Sequence, residues 1–220
     1  MVATPIGNLK DITLRAFEVL RGADLIVCED TRVTSKLLTG HEIRKPLMSL
    51  HEHSGDAALA KIIKVVEEGK DVAYVSDAGT PGLNDPGGKL VEAAFAAGIK
   101  VEPIPGASAL TAAISVCGFP MDEFVYLGFV PHKKGRQTML TEIAADKRPC
   151  VMLESTHRIQ KTLEALAGVL DERRLIFIGR ELTKMHETLY RGTCREVMDQ
   201  LAKTSSKGEF TLIVGPQPKR

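Results

Sequence analysis

The stretch "VSDAGTPGLNDPGG", residues 75–88, decides the fold, because four glycines and two prolines follow directly on an apolar run. A strand-to-helix connection takes about two to six residues. A loop of this length and composition exposes more backbone than connection alone requires. The run it follows, "DVAYVS", has the content of a strand. At the far end, Asp85 and Pro86 form the expected N-cap and N1 pair of a helix carrying Leu90, Val91, Ala94 and Phe95 and stopping at Gly98. Strand, glycine loop and helix in this order are the repeating unit of an α/β sheet.

The same alternation extends on both sides. "MVAT" reads as a strand remnant. "DITLRAFEVLRG" sets Ile12, Ala16, Val19 and Leu20 on one helical face and ends at Gly22. "ADLIVCED" is a strand, "SGDAALAKIIKVVEEGK" a helix with Leu59, Ile62, Ile63 and Val66 at helical spacing, and "IKVEPIPGASALTAAISVCG" a strand, a Pro-Gly turn and an Ala-rich helix. A mainly parallel α/β domain over residues 1–117 follows. "GFPMDEF", residues 118–124, breaks the pattern as a linker. Beyond it, "FVYLGFV", "RPCVMLES", "RRLIFIGREL", "HETLYRG" and "GEFTLIVG" read as strands. "THRIQKTLEALAGVL" and "CREVMDQLA" read as helices, so residues 118–220 form a second α/β domain with a mixed sheet.

Composition bounds the function. Of 220 residues, 44% are hydrophobic and 26% charged, as in an ordinary globular protein. No apolar run approaches the roughly 20 residues that cross a bilayer, and the start lacks a signal-peptide plan, so a cytoplasmic location without membrane contact is expected. Cys28, Cys117, Cys150 and Cys194 lie far apart and form no CxxC pair, which suggests neither a zinc site nor a disulfide framework. The net charge of +1 argues against a protein that coats nucleic acid, while leaving room for a local basic patch.

Glycines after a strand let backbone N–H groups approach a ligand closely, and a following helix start favours negative charge. "ATPIGNLKD", "SDAGTPG" and "PIPGASA" all have this form. None matches GxGxxG or GxxxxGK[ST], so neither a dinucleotide fold nor a P-loop is supported. In a parallel sheet all three loops lie at the carboxyl edge, where a small cofactor with a carboxylate and a nucleoside is expected. "CEDTRVTSKLL" brings Glu29, Asp30 and Arg32 to that edge, either as a helix start or facing substrate. "HEH", residues 51–53, lacks a third ligand at metal spacing, so no metal is expected. In "ESTHR", residues 154–158, Ser155 or Thr156 is either a helix cap or part of a site. "PHKKGRQ" gathers Lys133, Lys134 and Arg136 as solvated surface or as a phosphate contact.

Seven stretches in this order, "VATPIGNLKDITLRA", "CEDTRVTSKLL", "VSDAGTPGLNDPG", "PIPGASA", "ESTHR", "RELTK" and "GEFTLIVG", resemble the bacterial ribosomal RNA small subunit methyltransferase I family over nearly the whole chain. The resemblance implies a two-domain tetrapyrrole-methylase-like fold with the cofactor, S-adenosylmethionine, in the crevice between the domains. It implies methylation of a cytidine ribose 2′-hydroxyl in the decoding region of 16S rRNA, in the small ribosomal subunit, by a homodimer. On the first-domain side it assigns the cofactor to Pro5, Asp77, Ala78, Gly79, Thr80, Pro81, Ala107 and Ser108. From the second domain it assigns Leu153, Ser155, Arg180 and Glu181. Thr80 replaces the acid of the Gly-Asp-Pro of tetrapyrrole methylases, which favours the rRNA branch. Glu154 and Asp30 are expected to act as base or to position the ribose, ahead of Asp77. Arg32, Lys133, Lys134, Arg136, His157, Arg158 and Lys184 are expected on the RNA. Family members run further ahead of "VATPIGNL" and often carry a C-terminal helical extension, so a start upstream is expected. The competing readings are a tetrapyrrole methyltransferase making a cobalamin or sirohaem precursor, and a non-catalytic rRNA-binding assembly protein.

Overall fold

The computed structural model describes residues 1–218, which divide into two compact units, Met1–Ser108 and a second from Ala109 onward. In the first unit, in chain order, stand α1 (Leu14–Gly22), β1 (Leu25–Cys28), α2 (Thr31–Gly40), β2 (Leu47–Ser49), α3 (Asp56–Glu67), β3 (Val72–Val75) and α4 (Gly87–Ala96). The strands pair in parallel in the order β2-β1-β3. Main-chain bonds extend the sheet beyond β3: Val2 N–H donates to Tyr74 O, and Ala3 N–H donates to Ile104 O. The strands expected at "MVAT" and "IKVEPIP" are thus reduced to bridges at Val2, Thr4 and Ile104.

Alternation along β1 builds two half-cores. Ile26 and Cys28 pack with Leu20 of α1 and Leu38 of α2, whereas Leu25 and Val27 pack with Ile62 of α3 and Leu90 of α4. A parallel sheet covered on both faces needs such near-continuous apolar strands, and β1 is buried at all four positions. The expected start of α4 shifts by one residue. Pro86 is the N-cap, and Asp85, expected there, spends its carboxylate on the loop.

The second unit holds α5 (Ala109–Cys117), β4 (Val125–Phe129), α6 (Arg136–Ala145), β5 (Cys150–Ser155), α7 (Ile159–Ala167), β6 (Leu175–Arg180), β7 (Thr188–Thr193), α8 (Cys194–Ala202) and β8 (Glu209–Val214). Its sheet runs β4-β5-β8-β6-β7, with β4 parallel to β5 and the remaining pairs antiparallel, a mixed sheet as expected. Met152, Ile178 and Leu212 face Leu140, Leu163 and Val197 of α6, α7 and α8. Helix α5, expected with the first domain, packs on β6 and β8, so the division falls at 108/109 instead of at 117/118.

Two elements depart from the sequence pattern. Helix α6 begins inside the segment expected as a basic loop. Only Leu140 and Ile143 of it are buried, too few to show a period. Helix α7 starts without a side-chain cap at Arg158. Thr156, one of two expected caps, instead accepts from Gly208 N–H and donates to Gly208 O, both at 2.7 Å.

Arg174 joins three pieces of this unit. Its guanidinium, 2% exposed, donates to the carbonyls of Ile143, Ala144, Asp146, Arg148 and Gly215. It thereby satisfies the open end of α6 and ties it to the chain entering β5 and leaving β8. Arg174→Met should therefore lower unfolding stability by about 3 kcal/mol, because the carbonyls are left buried and unpaired. Urea denaturation with an unchanged m-value checks this; a loss under about 1 kcal/mol would mean water replaces the guanidinium.

Candidate functional site

The three glycine loops of the first unit interlock. Thr4 and Gly79 exchange main-chain hydrogen bonds, each N–H donating to the other's carbonyl at 3.0 Å. The Thr80 hydroxyl donates to Ala107 O at 3.0 Å, which ties the second loop to the third. Ser76, at the end of β3, turns its hydroxyl back onto Ala78 O at 3.2 Å. Gly79 has φ +82°, the left-handed region that disfavours a side chain. A Cβ there would stand 3.2 Å from Ile6 Cγ2 and 3.6 Å from Ala107 O. Pro5 is buried, Thr80, Pro81, Ala107 and Ser108 are half-buried, and Asp77 and Ala78 are exposed at the tip.

The end of β1 supports this tip from the side. Glu29 Oε1 accepts from Asp77 N–H at 2.9 Å, and Asp77 Oδ1 accepts from Asp30 N–H at 3.0 Å. Burial pushes the Glu29 carboxyl up, the Asp77 N–H partly offsets this, and the charges of Asp77 and Asp85 add to the rise. Asp30 caps α2 by accepting from Arg32 N–H at 2.8 Å, and the Arg32 guanidinium grips both its oxygens. That pairing holds the Asp30 carboxyl at about 2. Asp85 organises the other half of the opening stretch: its carboxylate accepts from Gly82, Leu83 and Gly87 N–H and from the Tyr74 hydroxyl. Glu29 is expected at this edge as a helix start or facing substrate, and Asp85 only as a helix cap, but neither as a support of the loops. Their partners are main-chain groups in other loops or a few residues away, which spacing does not reveal.

The second unit gathers its own set at one sheet edge. Pairing of β5 with β8 sets Ser155 against Glu209, and pairing of β6 with β8 sets Arg180 against Phe210, so "ESTHR" and "RELTK" flank the start of β8. Leu153 and Ser155 are half-buried there. Arg180, expected on the cofactor, spends its guanidinium on the carbonyls of Lys207 and His186. Glu181 has φ +52°, and its Oε1 accepts from Lys184 Nζ at 3.0 Å and Glu209 N–H at 2.9 Å. Burial pushes the Glu181 carboxyl up, but these partners hold it below its usual value. Lys184 is paired with both Glu181 and Glu209.

Glu154 stands apart from its expected role. Its side chain has no exposure, Oε2 accepts from the Thr162 hydroxyl at 2.7 Å, and Oε1 accepts from Ser155 N–H at 2.9 Å and pairs with Arg158 Nε at 3.2 Å. A carboxylate so enclosed has no path to a substrate hydroxyl. Arg136 and Arg158, expected on RNA, also turn inward, toward Thr162 and Glu154. His132, Lys133, Lys134 and His157 remain exposed, as does Arg32 despite its bond to Asp30. A cavity of about 510 Å³ beside Lys70 and Asp71 is lined by neither Thr4, Gly79 nor Ala107. Among the described residues no three His, Cys, Asp or Glu side chains gather at metal-binding range, and no helix is long and apolar enough to cross a membrane.

A parallel sheet with interlocked glycine loops at its carboxyl edge, followed by a mixed sheet, is the architecture of a methyltransferase class: the model for Tetrapyrrole (Corrin/Porphyrin) Methylases matches residues 1–198. Cobalt precorrin-4 methyltransferase, a cobalamin biosynthetic enzyme of known structure, shares the fold at 16% identity with a TM-score of 0.70, over 97% of this chain and 92% of that one. Two curated relatives are named Ribosomal RNA small subunit methyltransferase I. The one from Thermotoga maritima is 42% identical over 97% of this chain and 96% of its own length. The one from Neisseria meningitidis serogroup B is 46% identical over 98% of this chain and 75% of its own length. Within the tetrapyrrole methylases, the chain belongs to the ribosomal RNA small subunit methyltransferase I family. These are S-adenosylmethionine-dependent methyltransferases, and S-adenosylmethionine is the cofactor.

The first-unit face fits that cofactor. Gly79 leaves free the space where a Cβ would crowd Ile6 and Ala107. Thr4 Oγ1, buried beside the Gly79 bridge, has no hydrogen-bond partner among the described residues. An amino acid joined to a nucleoside calls for such side-chain-free space and isolated polar atoms among small apolar residues.

Gly79→Val should weaken S-adenosylmethionine binding at least about tenfold by calorimetry while the far-UV circular dichroism stays native. Unchanged affinity would remove this loop from the cofactor site. Glu29 gives a test of opposite sign. Because its folded carboxyl titrates above the ordinary value of 4.5, the folded state binds the extra proton, and stability falls as pH rises through the raised pKa. Glu29→Gln keeps an acceptor for Asp77 N–H and removes that cost. Its Tm should exceed that of the parent at pH 7, and the difference should close as pH falls toward 4.5. A lower Tm at pH 7 would mean the charge itself holds the loop.

Proposed function

We propose that the chain methylates the ribose 2′-hydroxyl of a cytidine in the decoding region of 16S rRNA, in the small ribosomal subunit, in the cytoplasm. The observation that carries this reading is the 42% identity, over nearly the full length of both chains, to a protein named for the small-subunit RNA. The exposed His132, Lys133 and Lys134 add a cationic loop suited to a phosphate backbone. Thr80 supports it too. Where tetrapyrrole methylases carry an acid, this chain has a hydroxyl that binds Ala107 O within the protein.

Bound S-adenosylmethionine supplies an electrophilic methyl group. As the new O–C bond formed and the S–C bond broke onto sulfur, the 2′-hydroxyl proton would pass to solvent water, so the protein's larger task is alignment of the ribose oxygen with the methyl group. Gly79, lacking a Cβ, leaves room for the cofactor beside the exposed Asp77 and Ala78, with Pro5, Pro81, Ala107 and Ser108 as walls. Asp30, held at about 2 by Arg32, is a poor proton acceptor at neutral pH but a permanent hydrogen-bond acceptor for a ribose hydroxyl. Arg32, largely exposed, carries a positive charge beside that acceptor.

Two measurements test this. Labelled S-adenosylmethionine is offered in parallel to undermethylated small subunits, free rRNA and a tetrapyrrole precursor. Label should enter the RNA, and the labelled linkage should resist alkaline cleavage, since a blocked 2′-oxygen cannot attack the adjacent phosphate. Label in the tetrapyrrole alone, or an alkali-sensitive linkage, would overturn the reading. Asp30→Asn should lower kcat by about tenfold with cofactor Kd unchanged and no shift in the pH profile. A shifted acid limb would restore Asp30 as the base.

A further inference from the structure

We propose that the cluster of Glu154, Thr162, Arg136 and Arg158, with the carboxylate and hydroxyl buried and the arginines half-buried, is the mount that holds His132, Lys133 and Lys134 in position to grip RNA phosphates. This rests on the RNA reading above. The cluster joins four pieces of the second unit. Thr162, fully buried in α7, donates to Glu154 Oε2 at 2.7 Å and accepts from Arg136 Nη2 at 3.1 Å, so one hydroxyl connects the end of β5 to the first residue of α6. Arg136 also donates to Pro131 O at 3.5 Å, bracketing the loop on which the lysines stand. Arg158 pairs with Glu154 and donates to Val130 O, fixing the point where the chain leaves β4. Gly135, at φ +84°, lets the chain turn sharply into α6.

His132, Lys133, Lys134 and Gly135 of the loop between these anchors are all exposed, and a main-chain bond from Arg136 N–H to Lys133 O at 3.2 Å closes its end. The arginine side chains tie down the chain at both ends of this exposed stretch. A buried carboxylate paired with a guanidinium is a costly way to stabilise a fold, since well-packed apolar side chains do as well or better. It is a suitable way to fix the Arg158 guanidinium directly and Arg136 through the Thr162 hydroxyl, since a guanidinium donates in fixed, directional geometry. The division of labour follows from side-chain chemistry. Arginines within the cluster bind carbonyls, a hydroxyl and a carboxylate, and flexible lysines outside it meet the phosphates.

Thr162→Val preserves shape and removes both hydrogen bonds, so it separates positioning from contact. Affinity for undermethylated small subunits, and its dependence on salt, is measured for the parent, Thr162→Val, the pair Lys133→Ala and Lys134→Ala, and all three substitutions together. The lysine pair should weaken binding about tenfold and flatten the salt slope by about 1.5. Thr162→Val should weaken binding to a similar extent and flatten the slope with it, while leaving S-adenosylmethionine Kd unchanged. Combined, the three should be no more than about twofold weaker than the lysine pair. Thr162→Ser should restore binding. If Thr162→Val folds poorly, Arg136→Gln should give the same pattern. Additive losses, or an unchanged salt slope in Thr162→Val, would overturn the mount. A lysine pair that binds like the parent would overturn the loop as a phosphate contact. Failure of the parent itself to bind subunits or free rRNA would overturn the RNA reading and this one together.

Discussion

The exchange of hydrogen bonds between Thr4 and Gly79 is the constraint on which the first unit's functional face depends. Two loops that follow neighbouring strands would ordinarily diverge into solvent. Here the left-handed φ of Gly79 turns its N–H and its C=O toward one residue, so the pair closes like a single antiparallel rung laid on a parallel sheet. Everything else follows from that closure. Thr80 is brought against Ala107, Ser76 turns back beneath Ala78, and Asp77 is left exposed, where Glu29 and Asp30 steady it. A side chain at Gly79 opposes the face twice, by backbone strain and by contact with Ile6 and Ala107.

The long Pro/Gly stretch divides into two parts with different chemistry. Through Gly79 and Thr80 its first half faces the neighbouring loops. Its second half folds around Asp85, whose carboxylate gathers three N–H groups and the Tyr74 hydroxyl before α4 begins. Such a residue occupies the place of a cap without being one. The side chain serves a turn that includes the left-handed Gly82 and Asn84, and Pro86 starts the helix. The same stretch therefore carries two anchors, the Asp85 carboxylate in its second half and the Thr4 bridge to Gly79 in its first.

Where apolar residues recur at fixed intervals, the fold was legible. Strands β1 and β3 and helices α3 and α7 were expected in place, and so was the gathering of three loops at one carboxyl edge. Strand β2 was not, because three partly exposed residues carry no pattern. Helix α6 was missed for a related reason: two buried residues in ten leave the charged segment looking like loop. The site was legible only as loops. Backbone conformation follows from local composition, which the residues display. Partners such as Glu29 with Asp77, or Thr162 with Glu154, follow from strand order and helix register, which they do not.

The arginines show where reading charge from sequence fails, and why. Arg136, Arg158, Arg174 and Arg180 all sit beside strand ends or helix ends, and each donates to main-chain carbonyls. Strand and helix ends are where carbonyl groups lack partners, and a planar, permanently charged fork can satisfy several at once without losing its proton. Lysine cannot do this as well, since a single ammonium presents a point charge and is costly to desolvate. In a sheet edge crowded with chain ends, the arginines are consequently drawn inward and lysines such as Lys133 and Lys134 stay in solvent. A basic run next to a strand is thus better divided by residue type than counted as one patch. In the PHKKGRQ run the arginine belongs first to the fold, and Lys133 and Lys134 are the charges left exposed to meet a phosphate.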